Sequence, residues 1–427
     1  MAHESLLILD GKFTSCWSLS LVSMTPVPRR PRIVLYSHDT QGLGHLRRNL
    51  VLARGFATDR PGGLGADVLL LTGASEVGLF PRPEGVEAIV LPGLRKDREG
   101  GYAPRHLRGR LRDVVALRSS LLETALDGFE PDLFVVDKTP RGFGKELERI
   151  LPRLRARGTR TVLGLRDVLD DPVATRAQWH ADGGDAAVRD FYDEVWVYGD
   201  RRIHDLRRVT GMAASSAAVT HHLGYLSADR QDTAALAHRP ATDGRDYVLV
   251  MCGGGQDGAA LCARAAAMTP PAGMDLLVLT GPQLEESRLR RVRRAAAGRP
   301  GVQVMRFSRH GAAWLTGARA VITMGGANTV AEILDTDVPA LVVPRVTPRA
   351  EQLVRAEALA AQGHLSVLHP DRLTTGALQD WVDAAVQTRV DRTGIDRGGV
   401  SAAVTRARNL TSPSFSSYRP SRSCHVA

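Results

Sequence analysis

Residues 319–355 read RAVITMGGANTVAEILDTDVPALVVPRVTPRAEQLVR. The apolar run Ala320–Met324 predicts a buried strand. It ends at Gly325-Gly326, where residues without a Cβ let the backbone turn sharply and approach a ligand closely. A helix follows, and its free N–H groups can face an anion. Glu332 sits on the first turns of that helix, where a carboxylate can accept hydrogen bonds from both hydroxyls of a ribose; it can equally be an acid favoured there by the helix dipole. A second short strand leads to a helix that opens with Glu351-Gln352 and carries Arg355 one turn on, acceptors, an amide and a cation that suit a sugar and a phosphate. Strand, glycine turn and helix in this order predict a nucleotide site in an α/β protein.

The same rhythm runs outward in both directions. Strand candidates are Arg32–Ser37, Asp67–Leu71, Val86–Leu91, Leu133–Asp137, Thr161–Leu165, Glu194–Tyr198 and Ala218–His222, separated by helix-length segments, the pattern of a parallel sheet covered on both faces. A second series comprises Tyr247–Cys252, Leu276–Thr280, Val302–Arg306, Ala320–Met324, Ala340–Val343 and Leu365–Leu368. Between them lies LSADRQDTAALAHRPATDGR, residues 226–245, small and polar like an exposed connection. The chain therefore divides into a leader 1–30 without clear period, expected to be disordered with Met24 a candidate start; a first doubly wound domain 31–225; the connection 226–245; a second doubly wound domain 246–395; and a segment 396–427 whose tail from Ser412 is rich in Ser, Arg and Pro and is also expected to be disordered.

Composition narrows the class. The chain has 427 residues with 43% hydrophobic and 24% charged residues, and no apolar run approaches the roughly 18 residues of a membrane span, so a soluble, cytoplasmic protein is expected. The net charge of +10 looks like a nucleic-acid signature, yet the only lysines are Lys12, Lys96, Lys138 and Lys145. A bias so complete reflects codon composition better than a nucleic-acid surface, and no nucleic-acid partner is expected; arginine does suit phosphate, which keeps an anionic substrate or the inner membrane surface open. Cys16, Cys252, Cys262 and Cys424 have no metal-binding spacing, and no metal is expected.

Two further glycine-rich turns carry chemistry. After the first strand come Gly42-Leu43-Gly44-His45 and a helix, so His45 would meet the crevice outside the strand ends, where an imidazole can take a proton from a hydroxyl. It can also merely cap the turn, and His38-Asp39 is the alternative acting pair. Tyr247–Leu261, YVLVMCGGGQDGAAL, places Gly253, Gly255 and Gly258 in a G-x-G-x-x-G pattern, but the strand that should supply a ribose-binding acid ends in Thr280-Gly281-Pro282, which counts against a nicotinamide or flavin enzyme. A cradle for a diphosphate survives that objection. Asp137-Lys138 close a strand on the cleft side and can act on or bind an acceptor, or form a surface ion pair. Gly142–Lys145 lacks the spacing of a phosphate-binding P-loop. Arg105–Leu122 has helical spacing, with Arg105, Arg108, Arg112 and Arg118 alternating with leucines and valines. It reads as a helix with its arginines in water, or less simply as a helix lying on lipid.

Three segments in order, Gly42–His45, Gly253–Gln256 and Gly325–Arg355, resemble the MurG-type glycosyltransferases, and YSHDTQGLGHLRRNL, VVDKTPRGFGKEL and LGLRDVLDDP resemble a branch of predicted glycosyltransferases. The resemblance covers about residues 31–390. It implies the GT-B architecture, two Rossmann-like domains facing a central cleft. It also implies transfer of a hexosyl or N-acetylhexosaminyl group from a nucleoside diphosphate sugar, taken as UDP-linked, to a hydroxyl acceptor, lipid-linked acceptors included. The nucleotide sugar is a substrate, and no cofactor is implied. By the resemblance, Gly253, Gly254, Gly255 and Gln256 with Gly325, Gly326, Ala327, Asn328 and Thr329 lie along the diphosphate and sugar. Glu332 holds the ribose, Phe307-Ser308 read the base, and Glu351 and Gln352 face the donor sugar; Arg355, read from its own chemistry, joins the donor-binding set. His45 is the candidate base, with Asp137 in the catalytic set and Gly42, Gly44, His38 and Lys138 on the acceptor side. The chain departs from the pattern where Gly254-Gly255 stand in place of a serine and Arg355 in place of an asparagine. Inverting, metal-independent transfer is the leading expectation; a nucleotide-sugar epimerase and a non-catalytic nucleotide-sugar binder are the rivals.

Overall fold

Two parallel sheets carry the chain in the computed structural model, which describes residues 29–39, 42–96, 101–227, 240, 242, 244–308 and 310–412. The leader up to residue 28, most of the expected connection 226–245 and the tail from residue 413 lie outside the described residues.

The first sheet has seven strands, in the order β3-β2-β1-β6-β7-β8-β9. These are β1 Arg32–Ser37, β2 Asp67–Thr72, β3 Val86–Val90, β6 Leu133–Asp137, β7 Arg160–Arg166, β8 Glu194–Tyr198 and β9 Thr220–His222. The second has six, in the order β12-β11-β10-β13-β14-β15, formed by β10 Asp246–Met251, β11 Met274–Leu279, β12 Val302–Met305, β13 Ala320–Thr323, β14 Ala340–Val342 and β15 Ser366–Val367. Every neighbouring pair in both sheets is parallel, and each strand candidate from the sequence occupies a place in one of them. Near-continuous apolar runs such as Ile33–Tyr36 and Val248–Met251 take this form because helices cover both faces and leave no side of the sheet for polar residues.

Chain order and strand order diverge between β1 and β6 in the first sheet, and between β10 and β13 in the second. Such a switch point opens a crevice at the carboxyl ends, because the connections on its two sides leave in opposite directions. Four candidate segments follow or close these four strands. Gly42–His45 follows β1, Asp137 ends β6, Gly253–Gln256 follows β10 and Gly325-Gly326 follow β13. The fold thus gathers into one region residues that are far apart in sequence.

Two expectations need correction. The helix expected over Arg105–Leu122 runs instead over Leu111–Phe129; Tyr102–Pro104 is β5, paired antiparallel with β4, Leu94–Lys96. Arg105 and Arg108 are therefore not on the helix, and Arg118, expected in water, is buried with its Nε 2.6 Å and its Nη2 2.8 Å from the Glu146 carboxylate. A salt bridge partner 28 positions away overrides a periodicity argument that sees only one helix. The carboxyl-terminal segment also contains a helix, Gly399–Thr411, whose Ala403, Val404, Ala407 and Leu410 pack among Leu46, Leu50 and Phe56 of the first domain.

Candidate functional site

A cavity of about 280 Å³ lies between the carboxyl ends of the two sheets. Its first-domain wall includes His38, Gly42, Gly44, His45 and Lys138; its second-domain wall includes Gly253–Gln256, Gly326–Thr329, Glu351, Gln352 and Arg355. A second cavity of about 200 Å³ adjoins it and shares Gly253, Gly254 and Asn328; it adds Phe307, Ser308 and Glu332. The sequence-derived candidates therefore fall into two connected spaces. Gly325 stands just behind them: its φ of +76° and the 2.5 Å that would separate an added Cβ from Val342 make it the turn itself.

His45 is near the start of the helix Gly44–Ala57, and its Nδ1 lies 2.8 Å from Asp137 Oδ2. Arg48 Nη2 lies 3.0 Å from the same nitrogen, but the shorter contact is to the carboxylate, which when ionised only accepts, so Nδ1 is assigned the hydrogen and Nε2 keeps its lone pair. Arg48, one turn along the same helix, donates Nη2–H to both Asp137 oxygens at 2.8 and 2.6 Å, with its guanidinium 5.5 Å from the Tyr198 ring centroid. Burial would raise the Asp137 pKa, but Arg48 and His45 outweigh it and hold the carboxyl well below its usual range. Burial lowers the His45 pKa, and Asp137 offsets part of that, so the imidazole is neutral at physiological pH. The arrangement is a base with its proton-accepting nitrogen free and its other nitrogen fixed. Asp137 is buried, with its carboxylate held by His45 and Arg48.

His38 is buried beside it, ring centroids 5.3 Å apart, and burial, followed by the repulsion a protonated His45 would exert, pushes its pKa well down. The alternative pair His38-Asp39 does not form. Asp39 is fully buried and accepts from the Ser37 hydroxyl at 2.5 Å, the Thr72 hydroxyl at 2.6 Å and the Gly73 N–H at 3.3 Å, which makes it a brace for the turn.

Part of the opposite wall is backbone. Gly255 has φ +91°, and an added Cβ would lie 2.2 Å from the Thr280 oxygen, so only glycine fits this loop. The helix Ala327–Leu334 begins after Gly326 with no side chain capping it, leaving its first N–H groups toward the cavity. Together they offer two sets of amides to an anion.

Polar contacts join the walls. Arg47 pairs with Glu332, the Asn328 amide donates to the Gly44 carbonyl at 2.9 Å, and Gln283 Nε2 donates to Glu76 at 2.9 Å. Burial raises the Glu332 pKa despite Arg47, and Oε2 of Glu332 has no partner. Arg355 lines the cavity with its cation already committed to a carboxylate of the first domain. Its guanidinium is buried against Asp167, with Nε 3.0 Å from both carboxylate oxygens and Nη2 2.7 Å from one, and also donates to the Val168 carbonyl at 3.2 Å. Saturated in this way, it ties the helix Glu351–Ala360 to the end of β7. Asp170 accepts from the Ala350 N–H at 2.9 Å in the same seam. Glu351 bonds Arg345 but keeps Oε2 unpartnered, and Gln352 accepts from the Arg345 N–H at 2.8 Å.

Sequence reasoning missed Arg47, Arg48, Arg166, Asp167 and Arg345. For Arg48 a signal existed, since it lies three residues after His45 and so on the same helix face. For Asp167 none did, because its partner is 188 positions away. Among the described residues no group of three or more His, Cys, Asp or Glu is arranged to hold a metal ion, and no helix is long and apolar enough to cross a membrane.

The family model of the glycosyltransferase family 28 C-terminal domain matches residues 247–393. A comparison with curated proteins finds no match. Among solved structures, the glycotransferase of kitacinnamycin is similar at TM-score 0.53 and 17% identity over 90% of this chain and 95% of that one. The spinosyn forosaminyltransferase SpnP is similar at TM-score 0.53 and 14% identity over 90% and 95%. MurG of Acinetobacter baumannii is similar at TM-score 0.50 and 16% identity over 89% and 99%. The fold is GT-B, two parallel-sheet domains around a cleft. The likeness to MurG is no stronger than the likeness to the other two, so the resemblance narrows to the fold and the family 28 domain, and not to MurG in particular.

Proposed function

We propose that this chain transfers a hexosyl or N-acetylhexosaminyl group from a UDP-linked donor to a hydroxyl acceptor, by a single displacement that inverts the anomeric carbon and uses no metal ion. The family 28 domain and the GT-B fold support glycosyl transfer. The observation that carries the mechanism is the His45–Asp137 pair facing, across one cavity, the glycine loop 253–255 and the uncapped helix after Gly326.

Asp137 holds Nδ1–H, and Nε2 takes the acceptor hydroxyl proton as that oxygen attacks the anomeric carbon. The bond to the diphosphate breaks on the opposite side, and the departing charge meets preorganised amides; losing one such donor costs about 3 kcal/mol of barrier, roughly a hundredfold in rate. Glu332 receives the ribose hydroxyls with Oε2 while Arg47 balances its charge. Phe307 and Ser308 border the base, and Glu351 Oε2 and Gln352 meet the donor sugar. The acceptor, lipid-linked compounds included, enters from the His38 and Lys138 side, with the protein working in the cytoplasm or at the inner membrane face.

The test is to incubate the protein with UDP-glucose and UDP-N-acetylglucosamine, with and without a pooled extract of hydroxyl compounds, and to follow both UDP and sugar products. UDP release matched by a glycosylated product is expected. Free UDP with an altered free sugar and no acceptor would identify an epimerase. Binding heat without any donor breakdown would identify a binder.

A further inference from the structure

We infer that one of the two substrates brings an acidic group, a carboxylate or a phosphate monoester, to the part of the cleft beside Arg166, separate from the diphosphate on the second domain. This rests on the glycosyl-transfer reading above.

Arg166 ends β7, and its side chain, 17% exposed, lines the main cavity. It lies between two parts of the site, feeling Arg48 and Asp137 on one side and Glu351 and Arg355 on the other. The other arginines on this cavity wall each have a carboxylate. Arg47 pairs with Glu332, Arg48 with Asp137 and Arg355 with Asp167; Arg345 has both Glu351 and Asp257, and Arg349 has Asp170 at 3.8 Å. Among the described residues Arg166 has only Glu351, at 4.0 Å, and Arg345 already holds that carboxylate by a direct hydrogen bond. The Nε of Arg166 is buried with no hydrogen-bond partner, as is the Nε of Arg345.

Two guanidiniums thus share one carboxylate at the centre of the cleft. A buried charge without a counter-charge is costly, and native structures supply a partner or leave the place to a ligand. Burial and the neighbouring Arg355 lower the Arg166 pKa to about 10, the mark of a cation in a positive, poorly solvated surrounding. A sugar hydroxyl would satisfy Nε–H but leave the charge unmatched. A carboxylate or phosphate satisfies both, accepting from the planar guanidinium by two oxygens. Because Arg166 projects from the first domain beside the His45 cluster and toward the Glu351 face of the second, the acidic group can belong to the acceptor or to the donor sugar.

Calorimetry separates these sources. In one arm the protein is first saturated with UDP, which fills the diphosphate site, and is then titrated with inorganic phosphate, glycerol 3-phosphate and glycerol. In the other, UDP-glucuronate is compared with UDP-glucose. An acidic acceptor predicts that phosphate and glycerol 3-phosphate bind the UDP-saturated protein and glycerol does not. An acidic donor sugar predicts that UDP-glucuronate binds at least about tenfold more tightly than UDP-glucose. In whichever arm responds, Arg166→Gln weakens the acidic probe about tenfold, whereas Glu351→Gln, which takes from Arg166 its neighbouring carboxylate and leaves Arg345 with Asp257, strengthens it. A gain of affinity in Glu351→Gln cannot come from misfolding. The inference is overturned if neither arm responds in the wild-type protein, or if the preference is unchanged in both variants. Should UDP itself fail to bind, the glycosyl-transfer reading falls, and titration of phosphate alone into the same two variants still decides whether the acidic site exists.

Discussion

On the first-domain wall of the cleft, the groups that meet the cavity are charged or titratable side chains, His45 and Arg48 held by Asp137, and Arg166 beside them. On the second-domain wall, beside the side chains of Glu351 and Arg345, stand main-chain groups, the Gly253–Gly255 loop and the start of the helix Ala327–Leu334. The two walls come from the same architecture, a glycine turn at the switch point of a parallel sheet, and yet diverge in what the turn presents. Backbone amides are fixed dipoles that never change protonation, which suits holding a diphosphate that gains negative charge as it departs. A neutral, half-buried imidazole can gain and lose a proton, which suits the wall where a hydroxyl must be activated. The division of chemistry between the domains follows from that physical difference.

The division can be broken at its titratable side first. Replacing Asp137 by Asn leaves Arg48 without its carboxylate and lets the imidazole choose the wrong tautomer; turnover should fall by about a hundredfold to ten-thousandfold while UDP affinity changes little. Initial-rate kinetics beside calorimetry would check it, and a parallel loss of UDP affinity would show that the first wall also holds the nucleotide.

The seam between the walls comes next. Arg355→Met leaves Asp167 as a buried, unpaired carboxylate and should cost about 3–5 kcal/mol of stability, part of which Asp167→Asn restores in the double variant. Denaturant melts of both variants would settle whether Arg355 is a rivet, since a free donor-binding cation would lose nucleotide affinity and little stability.

On the backbone wall, Gly255→Ala forces a Cβ against the Thr280 carbonyl at a positive φ. A cost of about 1–3 kcal/mol in stability or diphosphate affinity is expected, visible as a lower melting temperature and a weaker UDP titration. Little change would mean the loop relaxes easily and is not a preorganised cradle.

The smallest expected effect is on pH dependence. His45 acts when deprotonated and its pKa is below the ordinary 6.5, so the rate should be full above that value and fall only as pH drops through the lowered pKa. Asp137→Asn removes the group that opposes this lowering, and the acid limb should move further down. A limb above 6.5 would identify another base.

How far the sequence was legible differs between the walls in the same way. Glycine turns at strand ends are local features, and Gly42–His45, Gly253–Gln256 and Gly325-Gly326 could be found from a few adjacent residues, as could the strands themselves. Partnerships between side chains are not local. His45 meets Asp137 from 92 positions away, Arg355 meets Asp167 from 188 and Arg47 meets Glu332 from 285. Nothing in the helix that opens at Glu351 indicates that its arginine is committed to the other domain. Arg118 failed for the same reason, as Glu146 turns what reads as a solvent-facing cation into a core residue.

Parallel titration of UDP into His45→Ala and Glu332→Gln, with donor turnover measured on the same preparations, tests the division of labour most directly. The two-wall account predicts that His45→Ala binds UDP like the wild type and turns over at least about a hundredfold more slowly, while Glu332→Gln binds UDP about tenfold or more weakly. A His45→Ala protein that loses UDP, beside a Glu332→Gln protein that binds it normally, would contradict the account.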